Sequence, residues 1–367
     1  MDNGAIGVGL VGASVNRGWG WRSHVPALLG LPEFELRAIC TAHQETAEAA
    51  AQATGARFAF SDYRRLVEHP EVDVVSVAVR VPWHREIALA AIAAGKHVYC
   101  EWPLGTNRAE VAEMAAAART GGVRAMPGLQ GRVAPWVLHL RELVEGGYIG
   151  RPLTVNARLF MGHPYRRAGV VWAAKRAAGN HILSIQTAHM LDIIGQVGGG
   201  FSTLAASIGT LAPVWTLANG ETVDADAPDQ VQVRGTLGCG ASFTAHFAYV
   251  PAHASGWRLE VYGERGTLVA TSPGPAMVMP NRVEGGTVDD RALQELPVPG
   301  RLISVPPEVP SDSSAFHVAH LYRRLAESIR TGAPLDPSFD TALQVYDLIG
   351  VLERSSEQGG ALVAAPA

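Results

Sequence analysis

Hydrophobic positions in the first third of the chain fall into short blocks separated by stretches of a different period. Ala5–Val11, Phe34–Cys40, Phe58–Phe60, Val72–Val79, Lys96–Cys100 and Val123–Gly128 are compact apolar runs. Val72–Val79 is a near-continuous β-branched run, the pattern of a strand buried on both faces. Between the runs lie Ala-rich or charged stretches of helical period: near His24–Leu29, Glu45–Thr54, Asp62–Glu68, Glu86–Ala94 and Arg108–Thr120. Strand, helix, strand with tight connections is a βαβ unit. Its repetition predicts a parallel sheet whose ligand crevice lies past the carboxyl ends of the strands. Glu101, Trp102 and Pro103, just after Lys96–Cys100, are placed in that crevice.

The pattern changes near Gln130. Trp136–Glu145 is a helix that stops at Gly146-Gly147. Pro152–Phe160 reads as a strand, and Met161–Asn180 as a polar segment punctuated by glycine. In Ile182–Gly195, Ile182, Ile185, Met190, Ile193 and Ile194 recur at helical spacing. Thr203–Thr210, Asp229–Leu237, Ala241–Tyr249, Arg258–Gly263 and Gly266–Thr271 follow as strands, with turns at 238–240 and 264–266. Pro273–Pro310 reads as irregular, and Ala315–Thr331 and Phe339–Ser356 as closing helices. The fold class is therefore α/β: a Rossmann dinucleotide-binding domain over residues 1–129, then an α+β domain over 130–367 with a largely antiparallel open sheet.

Composition narrows this little. With 47% hydrophobic and 17% charged residues and a net charge of −4, the chain reads as an ordinary globular protein without a nucleic-acid-binding surface. The pairs Arg64-Arg65, Arg166-Arg167 and Arg323-Arg324 read as solvated faces rather than phosphate sites. Cys40, Cys100 and Cys239 fit no zinc spacing, and no metal site is readable. There is no signal-peptide pattern and no long apolar run. The expectation is a cytoplasmic protein that meets neither membrane nor nucleic acid.

Two features of the first βαβ unit bear on a cofactor. Gly7-x-Gly9-x-x-Gly12 spells a dinucleotide fingerprint but lies inside the strand. The better alignment starts at Gly12, puts Ser14 at the second glycine and carries a longer loop through Asn16. After Cys40 comes Thr41-Ala42-His43, without the acid that binds the ribose hydroxyls of NAD. Thr41 and His43 could meet a 2′-phosphate, which points to NADP with NAD as the alternative. Both could instead cap the following helix.

The segment Gly95–Gly105, with "GKHVYCEWPL", resembles the Gly-Lys-His-Val…Glu-Lys-Pro-Leu signature of the glucose–fructose oxidoreductase/inositol dehydrogenase family. "VRVPWH", the Glu-Trp pair and "LQGR" resemble more closely one branch of it, that of the galactose-regulon repressor of yeasts. The resemblance implies oxidation or reduction of a sugar, cyclitol or related small molecule by a nicotinamide cofactor. It implies cofactor contacts at Gly12, Ser14, Asn16, Thr41, His43, Val79, Val81, His84, Glu101, Trp102 and Gln130. Gln130 takes the position of an amide residue beside the nicotinamide, and Trp102 stands where the family has its signature lysine. The bond from 102 to Pro103 is commonly cis in the family.

For the chemistry itself, His189 matches a family histidine that faces the substrate, although the aspartate four residues before it is Ile185 here. It could serve as general acid–base or be a satisfied helix histidine. Lys175 is a second catalytic candidate. Arg132, Tyr165, His181 and Trp102 join His189 as expected substrate residues. Trp19, Trp21, Trp83 and Trp102 promise an aromatic crevice, suited to stacking on a sugar face or another flat ring. Loss of the lysine leaves two other readings open, a catalytically silent NADP-binding sensor and an NAD-dependent glycosidase. The family's second-domain sheet usually packs against a partner subunit, which implies a homo-oligomer, most simply a dimer or tetramer.

Overall fold

The computed structural model describes residues 4–163 and 170–366. It divides the chain into two compact units: residues 1–130 with 304–343, and residues 131–303 with 344–367. The first unit holds a six-stranded parallel sheet of β1 (Ile6–Val11), β2 (Phe34–Cys40), β3 (Phe58–Phe60), β4 (Val74–Val77), β5 (His97–Cys100) and β6 (Ala125–Pro127). Their spatial order is 3-2-1-4-5-6, so the winding reverses between β1 and β4. The strands are buried along their whole length where both faces are covered: every residue of β1 and β4 is buried. The crossovers are α1 (Val25–Leu29), entered through a π turn over Gly20–His24, then α2 (Gln44–Thr54), α3 (Tyr63–Val67), α4 (His84–Ala93) and α5 (Arg108–Gly121). Asn107 caps α5 by accepting from Glu110 N, and Gly122 ends it in the left-handed region at φ 65°.

The register aligns the carboxyl ends of these strands in one row. Val11 faces Cys40 and Val77, Cys40 faces Phe60, Val77 faces Cys100, and Cys100 faces Pro127. The next residue on five of the strands then hydrogen-bonds across the row. Gly12 N donates to Cys40 O, Thr41 N to Phe60 O, Ala78 N to Val11 O, Glu101 N to Val77 O and Gly128 N to Cys100 O, all at 2.8–3.1 Å. β2 and β3 have the expected bounds, whereas the other four strands are shorter than expected; Val72–Val79, for instance, shortens to Val74–Val77.

The second unit contains α6 (Pro135–Glu145), α7 (Ala188–Gly198) and a nine-stranded sheet. Its strands in chain order are β7 (Pro152–Gly162), β8 (Phe201–Gly209), β11 (Gln230–Leu237), β12 (Ser242–Val250), β13 (Gly256–Gly263), β14 (Gly266–Ser272), β15 (Arg282–Thr287), β16 (Gln294–Glu295) and β17 (Val363–Ala364); β9 (Val214–Thr216) and β10 (Thr222–Asp224) form a separate hairpin. All pairings in the large sheet are antiparallel except β7 with β12. Two strands, β15 and β16, lie in the region expected to be irregular: Gly285 and Gly286 make Arg282–Thr287 a poor strand by composition, and pairing with β14 imposes it. The helix expected over Ile182–Gly195 opens as a π turn at Leu183–Thr187 before α7 begins.

The two faces of this sheet differ. Val231, Val233, Phe243, Ala245 and Phe247 are buried, whereas Gln232, Arg234, Ser242 and Thr244 are exposed. The apolar residues of these strands therefore point to the covered side. The open face is a polar ladder in which Ser242 Oγ donates to Thr154 Oγ1 at 2.8 Å and Thr244 Oγ1 to Asn156 Oδ1 at 2.6 Å.

The last two helices are α8 (Ala315–Thr331) and α9 (Phe339–Glu357). α8 packs against α1 and the π turn before it, within the first unit. In the second unit, Ser355 and Ser356 of α9 accept from Ala206 N and Ile208 N of β8 at 2.8 and 3.0 Å, which closes that strand's outer amides.

Phe247→Ala should lower stability by about 3–5 kcal/mol, as removal of a fully buried aromatic does. Gln232→Ala, on the open face, should change it by less than about 0.5 kcal/mol. Urea unfolding of the two variants checks the assignment of faces.

Candidate active site

The row of strand ends in the first unit gathers most of the residues expected at a cofactor. Gly12 turns the chain off β1 at φ 104°, a conformation that favours glycine. A Cβ there would sit 2.4 Å from Ala78 O, and one at Gly20 would sit 2.6 Å from Gly12 O. Gly20 is thus a second close-approach glycine of this turn, beyond the alignment that runs from Gly12 through Ser14. It allows the π turn that leads into α1 to lie directly on the β1 loop, at the point where the sheet reverses. The signal was the Gly12–Gly20 spacing, which the usual fingerprint does not contain. Asn16, at φ 56°, sits exposed on the loop between them. These glycines, at the carboxyl end of β1 where the sheet reverses, fit a dinucleotide's close approach.

At the end of β2, Thr41 is buried, with Oγ1 3.0 Å from His43 O and 2.6 Å from Thr46 Oγ1. Its hydroxyl is engaged in its own turn without accepting from a helix amide, so it does not cap α2, whose N-cap residue is His43. His43 is exposed at the N-terminus of α2 and makes no side-chain cap bond. At the end of β4, Val81 and His84 are buried and Val79 is half-buried. His84 Nδ1 lies 2.9 Å from Pro103 O, and Nε2 3.0 Å from Val79 O. A brace between the loops after β4 and β5 results. Burial holds its pKa below the usual histidine value, so it is neutral and donates to one of the two carbonyls.

Glu101 is the most connected residue of the row. His24 Nε2 lies 2.9 Å from Glu101 Oε1, and Gln130 Nε2 donates to both carboxylate oxygens at 3.3 and 3.1 Å. His24 Nδ1 meets Tyr322 Oη at 2.8 Å, and Ser76 Oγ meets the same hydroxyl at 2.8 Å. Burial pushes the Glu101 carboxyl up, but the His24 hydrogen bond and electrostatic attraction outweigh it, and the net pKa is below the ordinary carboxylate value. Gly128 gives Glu101 room: a Cβ there would lie 2.5 Å from Oε2. Trp102 is buried, and the Trp102-Pro103 bond is cis, as expected. Of the four tryptophans expected in an aromatic crevice, Trp19 and Trp21 are half-buried, and Trp83 is 56% exposed.

Of the expected substrate residues, Trp102 belongs to the first unit and Arg132, His181 and His189 to the second. Arg132 Nε donates to Asp192 Oδ1 at 2.8 Å, and His189 lies three residues before Asp192 on α7, buried at 5% exposure. Asp192 is thus held by Arg132, which anchors the start of this unit to α7. His181 opens the π turn before α7: its amide donates to Ser184 Oγ at 3.1 Å, and its Nδ1 accepts from Ser184 N at 3.3 Å. Burial, assisted by Arg176, lowers its pKa to about 4. Lys175 is exposed between two short 3-10 turns, and Tyr165 lies outside the described residues. Among the described residues no three His, Cys, Asp or Glu side chains group to hold a metal ion. Sequence reasoning missed His24, Tyr322 and Ser76, whose partners are 77 and 246–298 residues away in the chain.

Residues 6–129 match the oxidoreductase family with an NAD-binding Rossmann fold, and residues 137–269 match the Gfo/Idh/MocA C-terminal domain. The chain is 32% identical over 255 residues to the dehydrogenase aclE of Aspergillus oryzae, covering 66% of this chain and 69% of that protein. It is 28% identical over 225 residues to levoglucosan dehydrogenase of Pseudarthrobacter phenanthrenivorans (59% and 57% covered). A levoglucosan dehydrogenase solved with NADH and levoglucosan superposes with a TM-score of 0.82 at 23% identity over 99% and 100% of the chains. The galactose/lactose metabolism regulatory protein GAL80 of Saccharomyces cerevisiae is 26% identical over 254 residues (63% and 58% covered). A solved super-repressor mutant of Gal80p shares the fold with a TM-score of 0.88 at 20% identity over 98% of each chain. The chain belongs to the Gfo/Idh/MocA family of NAD-binding oxidoreductases.

Buried neutral histidines give a pH signature. His181 has a folded pKa near 4 against an ordinary 6.5, so below pH 6.5 the unfolded chain binds the proton the folded one refuses. Its stability is therefore complete above about pH 6.5 and lost as the pH falls toward 4, by about 3 kcal/mol in full. His181→Gln should flatten the acid limb of stability measured by urea unfolding between pH 7 and 4.

Proposed function

We propose that this family member is an NADP-dependent oxidoreductase acting on a CH–OH group of a sugar, cyclitol or related small molecule. The supporting observation is His189, a buried imidazole on α7 in the domain that matches the family's C-terminal half. Bound nicotinamide supplies the hydride acceptor or donor. Gly12, Gly20 and the loop between them, with Ser14 and Asn16, hold the dinucleotide, and Gln130 and Glu101 fix the wall on its nicotinamide side. His189 takes the hydroxyl proton in oxidation and returns it in reduction. Arg132 holds the helix that carries His189 by way of Asp192, a positioning role. Lys175, exposed, serves as a secondary proton carrier. Trp102 gives the pocket a flat apolar wall where the family's lysine would put a charge, and favours a less polar substrate or a sugar stacked by its apolar face. Tyr165 and His181 complete the substrate contacts. The protein works in the cytoplasm as a homo-oligomer, a dimer or tetramer, and sedimentation as a monomer at micromolar concentration would count against that assembly.

A second reading is favoured by Trp102 together with the similarity to the GAL80 regulator. In it the chain binds NADP(H), turns nothing over, and acts as a sensor. Absorbance at the nicotinamide band, followed across a panel of sugars, cyclitols and aromatic ketones, separates the two. Turnover of any member supports the enzyme, and binding without turnover across the panel supports the sensor.

His189→Ala should lower turnover by about 10²–10⁴-fold, the size of a lost general acid–base group. Trp102→Lys should leave dinucleotide affinity within about twofold and change which substrates react, since it alters the wall and not the Gly12–Gly20 loop. Steady-state kinetics with each substrate and fluorescence titration with the cofactor read both.

A further inference from the structure

The NADP preference proposed above leaves a 2′-phosphate without an obvious partner. The loop after β2 carries no arginine, and the Thr41 hydroxyl is held in its own turn. The structure supplies a cation from the neighbouring strand. Phe60, the last residue of β3, is in register with Cys40, the last of β2, and Thr41 N donates to Phe60 O at 3.1 Å. The guanidinium of Arg65 lies over the Phe60 ring, 5.4 Å from its centroid. It therefore stands beside the strand end where a Rossmann fold places the adenosine ribose.

The surrounding charges single out Arg65 from its neighbour. Asp62 is the carboxylate close to this strand end; its charge, after burial, helps push the Cys40 thiol up to about 12. Left alone it would repel a phosphate. It is occupied by Arg64, whose amide donates to Asp62 Oδ1 at 3.0 Å and whose guanidinium lies 3.5 Å from it. The same Arg64 guanidinium donates to Glu86 at 2.7 Å. Arg65 is exposed and makes no ion pair among the described residues. Stacked on an aromatic face, it keeps its planar fork of donors free and oriented, the geometry that suits a phosphate.

We propose that Arg65 selects the cofactor by binding the 2′-phosphate of NADP, with exposed His43 as a flanking donor. The inference rests on the NADP reading, and it assigns to one member of the Arg64-Arg65 pair a role that the sequence pattern alone did not suggest. Arg65 touches the adenosine end, so it determines specificity and takes no part in proton transfer.

Calorimetric titration of the wild type, Arg65→Gln and Arg65→Lys with NADPH, NADH, 2′,5′-ADP and 5′-AMP tests it. The wild type should bind NADPH more tightly than NADH. Arg65→Gln should weaken NADPH and 2′,5′-ADP by about 10- to 100-fold, the range of a charge-assisted contact, and change NADH and 5′-AMP by less than about twofold. Arg65→Lys should keep part of the preference. A wild type that prefers NADPH together with an Arg65→Gln variant that keeps the preference, or weakens both cofactors equally, overturns the assignment and leaves the NADP reading standing. A wild type that binds NADH as tightly as NADPH overturns both.

Discussion

One buried carboxylate governs the organisation of the first unit. Glu101 follows the last residue of β5 and is held among His24, which ends the π turn before α1, and Gln130, which begins the turn after β6. Through His24 the network reaches Tyr322 on α8, and through Tyr322 it reaches Ser76 on β4. Four elements that the chain makes far apart thereby meet at one charge. Removing one partner of such a group leaves a buried charge uncompensated, at a cost of about 3–5 kcal/mol. The tolerance is correspondingly small. Gly128 must lack a Cβ for the carboxylate to fit, and Gly12 and Gly20 must lack one for the π turn to approach. The glycines of this site mark close approaches of backbone to backbone and of backbone to charge.

This also explains why residues 304–343 belong to the first unit although they follow the second in the chain. Tyr322 is fully buried, and its ring lies 5.7 Å from that of His24, 4.8 Å from Tyr99 and 5.3 Å from Phe34. α8 supplies both an aromatic plug and the hydroxyl between His24 and Ser76. Burial holds that hydroxyl's pKa far above the usual tyrosine value, so it stays protonated and can donate. A Rossmann sheet ending at Gln130 would leave Nδ1 of His24 without this partner.

What could be read in the sequence and what could not divides along the same physical line. Apolar periodicity is local, and it located β1 to β6, α2, α4, α5 and the two closing helices to within a few residues. Long-range hydrogen bonds leave no local pattern. His24, Tyr322 and Ser76 looked like unremarkable residues of a helix, a helix and a strand. Thr41 showed both of its possible roles in the sequence, and only the 2.6 Å approach of Thr46 shows its hydroxyl to be engaged within the turn. β9, β10, β15 and β16 are short, glycine-flanked or exposed, and gain their form from the strands they pair with, so composition did not announce them. In the second unit the helix that carries His189 was legible, whereas the Arg132–Asp192 contact that anchors it was not.

The substitution of Trp102 for lysine changes the chemistry that the rest of the site must supply. An indole donates one hydrogen bond and accepts none, so it cannot exchange a proton with a substrate hydroxyl. Glu101 is a poor substitute, because its neighbours hold the carboxyl below the ordinary value and both of its oxygens are engaged. His84 is braced between two carbonyls and is kept neutral by burial. Glu101 and His84 are thus committed to holding the edge after β4 and β5 in shape. In the second unit, α7 carries the His189 imidazole, and the aspartate three residues on is already claimed by Arg132. The end of β5 is therefore a place where a change at Glu101, His84 or Gln130 disturbs the shape of the edge itself.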